Sequence, residues 1–272
     1  MRLYSKFMRI LAFLVLAGSL WAQEPSGRGV NFYSLAKEKA LGDDLASKMA
    51  ATLDVVHDSK LDAYAAQLGA ALAKYADSPF DFTFTWYRDT PAQSGAASPT
   101  LIIGDPAYEP ITVPGGSIFL PLSLLDKAPN EAVFAFQLAH AMVHIASRHG
   151  TRQGTRTELM PVSTITVVDG DVSKHAADVL SLGALSFARM AEREADYRAV
   201  QIIAKAGYDP EPAAAYLAAK PEPPNPAFSP RPRPADRARQ IRDEVRKILP
   251  PADYMASTGA FEDARATAAA IR

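Results

Sequence analysis

The stretch QLAHAMVHIASRHG, residues 137–150, places two histidines four positions apart. Successive residues of an α-helix advance by about 100°, so His140 and His144 differ by about 40° and stack one turn apart on one face. Both imidazoles can then reach a single ion. Asn130 suits an N-cap and Gly150 a C-terminal stop, so one helix is predicted from 131 to about 149. The residue after the first histidine is Ala141, whose methyl group has no acid-base chemistry.

A metal gripped by two histidines needs a further ligand, and hydrolytic zinc commonly takes two His and one Glu, leaving a fourth position to water. The segment MAEREADYRAV, residues 190–200, supplies carboxylates at Glu192 and Asp196, again four apart on a predicted long helix. One could bind the ion while the other orients a ligand histidine through its second nitrogen. Glu194 projects about 200° from Glu192 and is expected to face solvent. The bland alternatives are a core or surface histidine pair and a solvated acidic stripe. His57, His149 and His175 have no partner pattern and read as surface residues or local caps.

Away from these motifs, residues 29–75 read as two packed helices, SLAKEKALGDDLASKMAATLDVV and SKLDAYAAQLGAALAKYA. The period then changes: FDFTFTWYRD alternates, and TLIIG and SIFLPLSLL are short strand-like runs, predicting a sheet of three or four strands. Pro114, Gly115 and Gly116 mark a sharp turn leading into an edge. Residues 151–180 resist assignment. A long helix ends near Gly207, a proline-rich loop occupies 221–234, and two short helices finish the chain.

The chain has 272 residues, 48% hydrophobic and 22% charged, with a net charge of −1 and no cysteine. That balance suits one domain over residues 29–265 and gives no basic surface for nucleic acid. Residues 1–22, with Arg2, Lys6 and Arg9 before an apolar run and Ala22 before Gln23, have the layout of a signal peptide. The expectation is an exported, extracytoplasmic (periplasmic) chain, soluble once processed or associated with a membrane, without disulfide or lipid anchor.

In order and spacing, NEAVFAFQLAHAMVHIASRHGTR followed by RMAEREADYRAVQIIAKAGYDP resembles the HtpX-like and BepA-like gluzincin peptidases of family M48. Their pattern runs E-L-A-x-V-x-x-H-E-x-x-H-x-x-x-R-H-G and then S-R-x-x-E-x-x-A-D-x-x-G. VPGGSIFLPLSLL is similar to the segment proposed to line their substrate cleft. The resemblance implies an α+β, mainly helical zincin-like domain with a small sheet bordering the active-site helix. It implies one zinc ion on His140, His144 and Glu192, with Asp196 behind a ligand, and a polypeptide substrate or client. Gly115, Gly116 and Arg231 are carried over as cleft residues, Arg231 standing where periplasmic members often have histidine.

The departures are as informative. Ala141 replaces the glutamate that takes a proton from the attacking water and returns it to the leaving amine. Ala139 and Val133 also depart from the pattern. Loss of such a base costs about 10² to 10⁴ in rate. Gln137 could orient a water but is no base near neutral pH. An Arg231 near the ion would repel it or pair with Glu192. Three readings follow: an impaired relative that keeps zinc and a peptide cleft for envelope protein assembly or quality control, an active metalloendopeptidase with its base elsewhere, and a metal-free interaction module.

Overall fold

The computed structural model describes residues 30–88, 103, 109–159, 182–223, 225–227, 229–248 and 252–271. The expected signal peptide, most of TLIIG and residues 160–181 lie outside them. Helix α1, Leu35–Thr52, starts where Ser34 accepts from the Lys37 amide. It stops two residues before β1, Asp54–Val56. The predicted helix ran through that triplet; instead Val55 and Val56 pair antiparallel with Tyr87 and Trp86, where β-branched side chains fit a pleated surface. Helix α2, Ser59–Ala73, is capped by Asp58, which accepts from the amides of Lys60 and Leu61.

The sheet has four strands in the order β1, β2 (Thr83–Arg88), β4 (Ser117–Pro121), β3 (Ile111–Thr112). β2 and β4 run parallel, while β3 and β4 form a hairpin. The strand after the Pro-Gly-Gly turn is therefore interior, and the edge is the shorter β3 before it. Ile103 bridges Thr112 on β3's outer side. The rest of the predicted apolar strand, Ser123–Lys127, is helix α3.

Gly115 and Gly116 have φ of 82° and 122°, conformations open to glycine at no steric cost. A Cβ on Gly116 would stand 2.1 Å from the Asp81 carbonyl oxygen, and one on Gly42 of α1 would stand 1.7 Å from that of Pro114. Helix and turn thus touch backbone to backbone.

Helix α4, Glu131–Ala146, opens with the predicted Asn130 cap, whose side chain accepts from Val133 N. Residues 131–145 are all buried. A helix buried on every face belongs to the core, and the aromatic cluster explains how this one is held. Phe134 stacks on Trp86 at 6.1 Å and meets Tyr64 and Phe261 at 6.0 and 6.2 Å. Trp86 spends its one donor on the Leu61 carbonyl.

The chain does not stop at Gly150. It breaks at Arg148, φ 57°, and resumes as α5, His149–Leu159, with Gly150 inside it. Helices α6 (Leu182–Lys205), α7 (Glu211–Ala218), α8 (Pro234–Ile248) and α9 (Gly259–Ile271) complete the described fold. α6 packs along α4, and α8 packs on α6. No described helix is long and apolar enough to cross a membrane.

Candidate metal centre

One face of α4 presents His140 and His144, and α6 brings Glu192 against them. The two Nε2 atoms are 3.0 Å apart, and the Glu192 oxygens lie 3.6 Å from His140 Nε2 and 3.5 Å from His144 Nε2. All three side chains are buried. Bonds of about 2.0–2.2 Å to a tetrahedral zinc would set ligand atoms about 3.3–3.5 Å apart, close to this triangle. Glu192 Oε2 is buried with no hydrogen-bond partner among the described residues. A donor set of two imidazoles and a carboxylate with such an orphaned oxygen fits a zinc ion.

The triangle is braced from outside. Asp196 Oδ1 lies 3.0 Å from His140 Nδ1, which leaves His140 Nε2 to face inward. Asp196 is itself gripped by Arg237 of α8 through two hydrogen bonds of 2.7 and 2.8 Å. The same guanidinium stands 3.7 Å from Glu192 and 3.2 Å from Glu109. Burial alone would lower the pKa of His140, but Asp196 and Glu192 outweigh it and push it up to about 9. His144 moves the other way, held well below its usual value by burial and the charge of His140. Burial alone would raise Glu192, yet His140, His144 and Arg237 hold it below the carboxylate range.

Residues 106–245, just over half of the chain, match the model of Peptidase family M48. The chain belongs to that family. Peptidases of family M48 are zinc enzymes. Among curated relatives, the beta-barrel assembly-enhancing protease of Yersinia pestis is 24% identical over 194 residues, covering 65% of this chain and 36% of that protein. The protein of the same name from Escherichia coli K12 is 23% identical over 200 residues, 68% of this chain and 37% of that protein. The mitochondrial metalloendopeptidase OMA1 of Schizosaccharomyces pombe is 29% identical over 115 residues, 41% of this chain and 34% of its own. The chain spans little more than a third of the length of these relatives.

Within this candidate site the sequence-predicted residues divide. His140, His144, Glu192 and Asp196 come together. Ala141 is buried in the core and presents only a methyl group at its position. Gln137 donates its amide nitrogen to Tyr216 Oη at 2.7 Å and keeps its Oε1 buried. Gly115 and Gly116 are buried against α1 and Asp81. Arg231 does not pair with Glu192; it sits 3.2 Å from Glu109. That buried carboxylate also meets Lys220 at 3.3 Å, and the group borders a cavity of about 280 Å³ beneath the proline-rich loop. The arginine that reaches Glu192 is Arg237, which sequence reasoning missed.

Two further expectations are overturned. His149 is neither a surface residue nor a cap but fully buried, with its Nδ1 3.1 Å from His144 Nδ1. Glu194 does not face open solvent: Ser147 Oγ donates to it at 2.7 Å, and His149 Nε2 lies 3.6 Å from its other oxygen. The helical wheel placed Glu194 away from Glu192 correctly, but the returning turn of α5 fills that side.

Proposed function

We propose that this chain is an exported, catalytically impaired M48 family member that holds zinc through His140, His144 and Glu192 and binds polypeptide without cleaving it efficiently. One observation carries the reading: a triangle of metal-type donors braced by Asp196 and Arg237 stands beside a buried alanine, Ala141, where the general base belongs. Zinc, when bound, supplies a Lewis acid that polarises a carbonyl and acidifies water. His140 and His144 would hold it, Glu192 would complete the ligand set, and Asp196, 3.0 Å from His140 Nδ1, would favour the proton on that nitrogen. No group at position 141 moves a proton to the leaving amine, so hydrolysis lacks a factor of about 10² to 10⁴. Likeness to proteases named for beta-barrel assembly, with the signal-like residues 1–22, supports an extracytoplasmic role in envelope protein assembly or quality control.

An active peptidase would need a base from the substrate or from a carboxylate such as those of residues 151–180, of which 160–180 lie outside the described residues; among the described residues, Glu109 is a buried carboxylate to weigh. Burial would raise its pKa, but Arg231, Lys220 and Arg237 together hold it well below the usual range. A carboxylate so depressed is a poor proton acceptor near neutral pH.

Zinc stoichiometry and cleavage of an unfolded polypeptide, measured on the wild type, Ala141→Glu and His140→Ala, test the reading. One zinc is expected in the first two and none in the third, with cleavage gained only in Ala141→Glu. Chelator-sensitive cleavage by the wild type above the His140→Ala control sinks the impaired reading. A zinc-free wild type after metal reconstitution sinks the metal.

A further inference from the structure

His144 has a second partner that the metal reading does not use. Its Nδ1 lies 3.1 Å from His149 Nδ1, and both rings are buried, at a centroid separation of 5.0 Å and an interplanar angle of 74°. Behind His149 stands Glu194, whose Oε2 is 3.6 Å from His149 Nε2. That is too long for a direct hydrogen bond, and His144 Nε2 faces the Glu192 carboxylate at a like distance, 3.5 Å, so the carboxylates alone do not set the direction of the Nδ1–Nδ1 contact; a metal on His144 Nε2 would. With Nε2 given to the metal, the proton of His144 stays on Nδ1 and His149 Nδ1 is the acceptor it meets. His149 then carries its own proton on Nε2, towards Glu194.

The relay is itself fixed. Ser147 Oγ donates to Glu194 Oε1, and Arg198 donates to Ser147 Oγ at 2.7 Å and to the Ala76 carbonyl at 2.7 Å. His149 can turn back onto α4 because Arg148 takes the left-handed conformation. Arg148 Nε donates to the buried Glu38 at 2.6 Å, and Thr151 Oγ1 donates to the same carboxylate at 2.9 Å. A non-glycine residue in that region is strained and persists where its surroundings hold it.

We infer that His149, backed by Glu194, is the positioning residue that sets the tautomer of His144 and aims its Nε2 at the metal, as Asp196 does for His140. The inference rests on the zinc reading above. Hydrogen-bond partners of metal-bound histidines are worth roughly 10- to 100-fold in affinity. A zinc titration against a competing chelator should then show His149→Leu weakened by about that factor. His149→Gln, whose amide oxygen can accept from His144 Nδ1, should recover most of the loss. Equal affinity in wild type and His149→Leu overturns the inference while leaving the zinc reading intact. A second measurement reads the protons directly: nitrogen-15 spectra of the zinc-loaded wild type should show His149 protonated on Nε2 and bare on Nδ1. A zinc-loaded His149 protonated on Nδ1 overturns the inference while leaving the zinc reading intact.

Discussion

Arg237 holds Asp196 with two hydrogen bonds, from Nε at 2.7 Å and from Nη2 at 2.8 Å, although the two residues are on different helices. Both are buried, and the same guanidinium neutralises Glu192 and Glu109. Removing one partner of a buried pair leaves its charge uncompensated, at a cost of about 3–5 kcal/mol. Arg237→Ala is therefore expected to lower the melting temperature sharply. Arg237→Lys recovers only part, because an ammonium cannot match the planar fork that grips Asp196. Zinc at about 100 times its Kd should return about 2.7 kcal/mol to any variant that still binds it. Thermal melts with and without zinc read all three outcomes.

Glu194 should write itself into the acid limb of the stability curve. Burial pushes its pKa up, but His149, Ser147 and Arg198 hold it at about 2, against 4.5 for an ordinary Glu. A carboxyl depressed on folding adds stability above its unfolded pKa, and that contribution is lost as pH falls from about 4.5 towards about 2. Discounted for solvent screening at a part-exposed carboxyl, the effect is on the order of 1–2 kcal/mol. Glu194→Gln should be less stable than wild type near neutrality and converge with it only as pH falls to about 2. Urea denaturation across that range checks it; a constant gap would assign the loss to packing instead.

The parts of the centre that were legible in the sequence are those in which one helix sets the geometry. His140 with His144, and Glu192 with Asp196, are each four apart, and a helical wheel places each pair without further information. Asn130 was readable as a cap for the same reason. His149 was not, because its direction depends on Arg148 leaving helical φ, a choice made by Glu38 more than 100 residues upstream. Arg237 was hidden similarly: nothing local to RPRPADRAR marks which arginine will meet a carboxylate 41 positions earlier. Asp54–Val56 was misread because three residues suit the end of a helix as well as a strand until β2 is there to pair with them.

Arg231 separates sequence expectation from structure in a single titration. Placed beside the ion, it would repel a dication, and Arg231→Ala would tighten zinc binding. The structure instead ends its side chain at Glu109, 3.2 Å away, in a group completed by Lys220 and Arg237. The expected result is an unchanged zinc affinity with a loss of about 1 kcal/mol in stability. Calorimetric titration and a melt on the same sample measure both; a marked gain in affinity would put Arg231 beside the ion.

Gly42→Ala tests the contact that seats the β3–β4 turn. Gly42 is buried in α1, where alanine is ordinarily the better helix former by about 1 kcal/mol. Propensity therefore predicts a stabilised protein. Packing predicts the reverse, since the new methyl would lie 1.7 Å from the Pro114 carbonyl oxygen and 2.6 Å from its carbon, backbone atoms that no side-chain rotation can clear. Either α1 or the turn must shift, and overpacking of this kind costs about 1–3 kcal/mol. The clash should win. β4 pairs with β2 and leads through α3 to Asn130, so the displacement also reaches the start of the histidine helix. A lower melting temperature together with weaker zinc binding is the expected outcome, and a melting temperature above wild type would refute the contact.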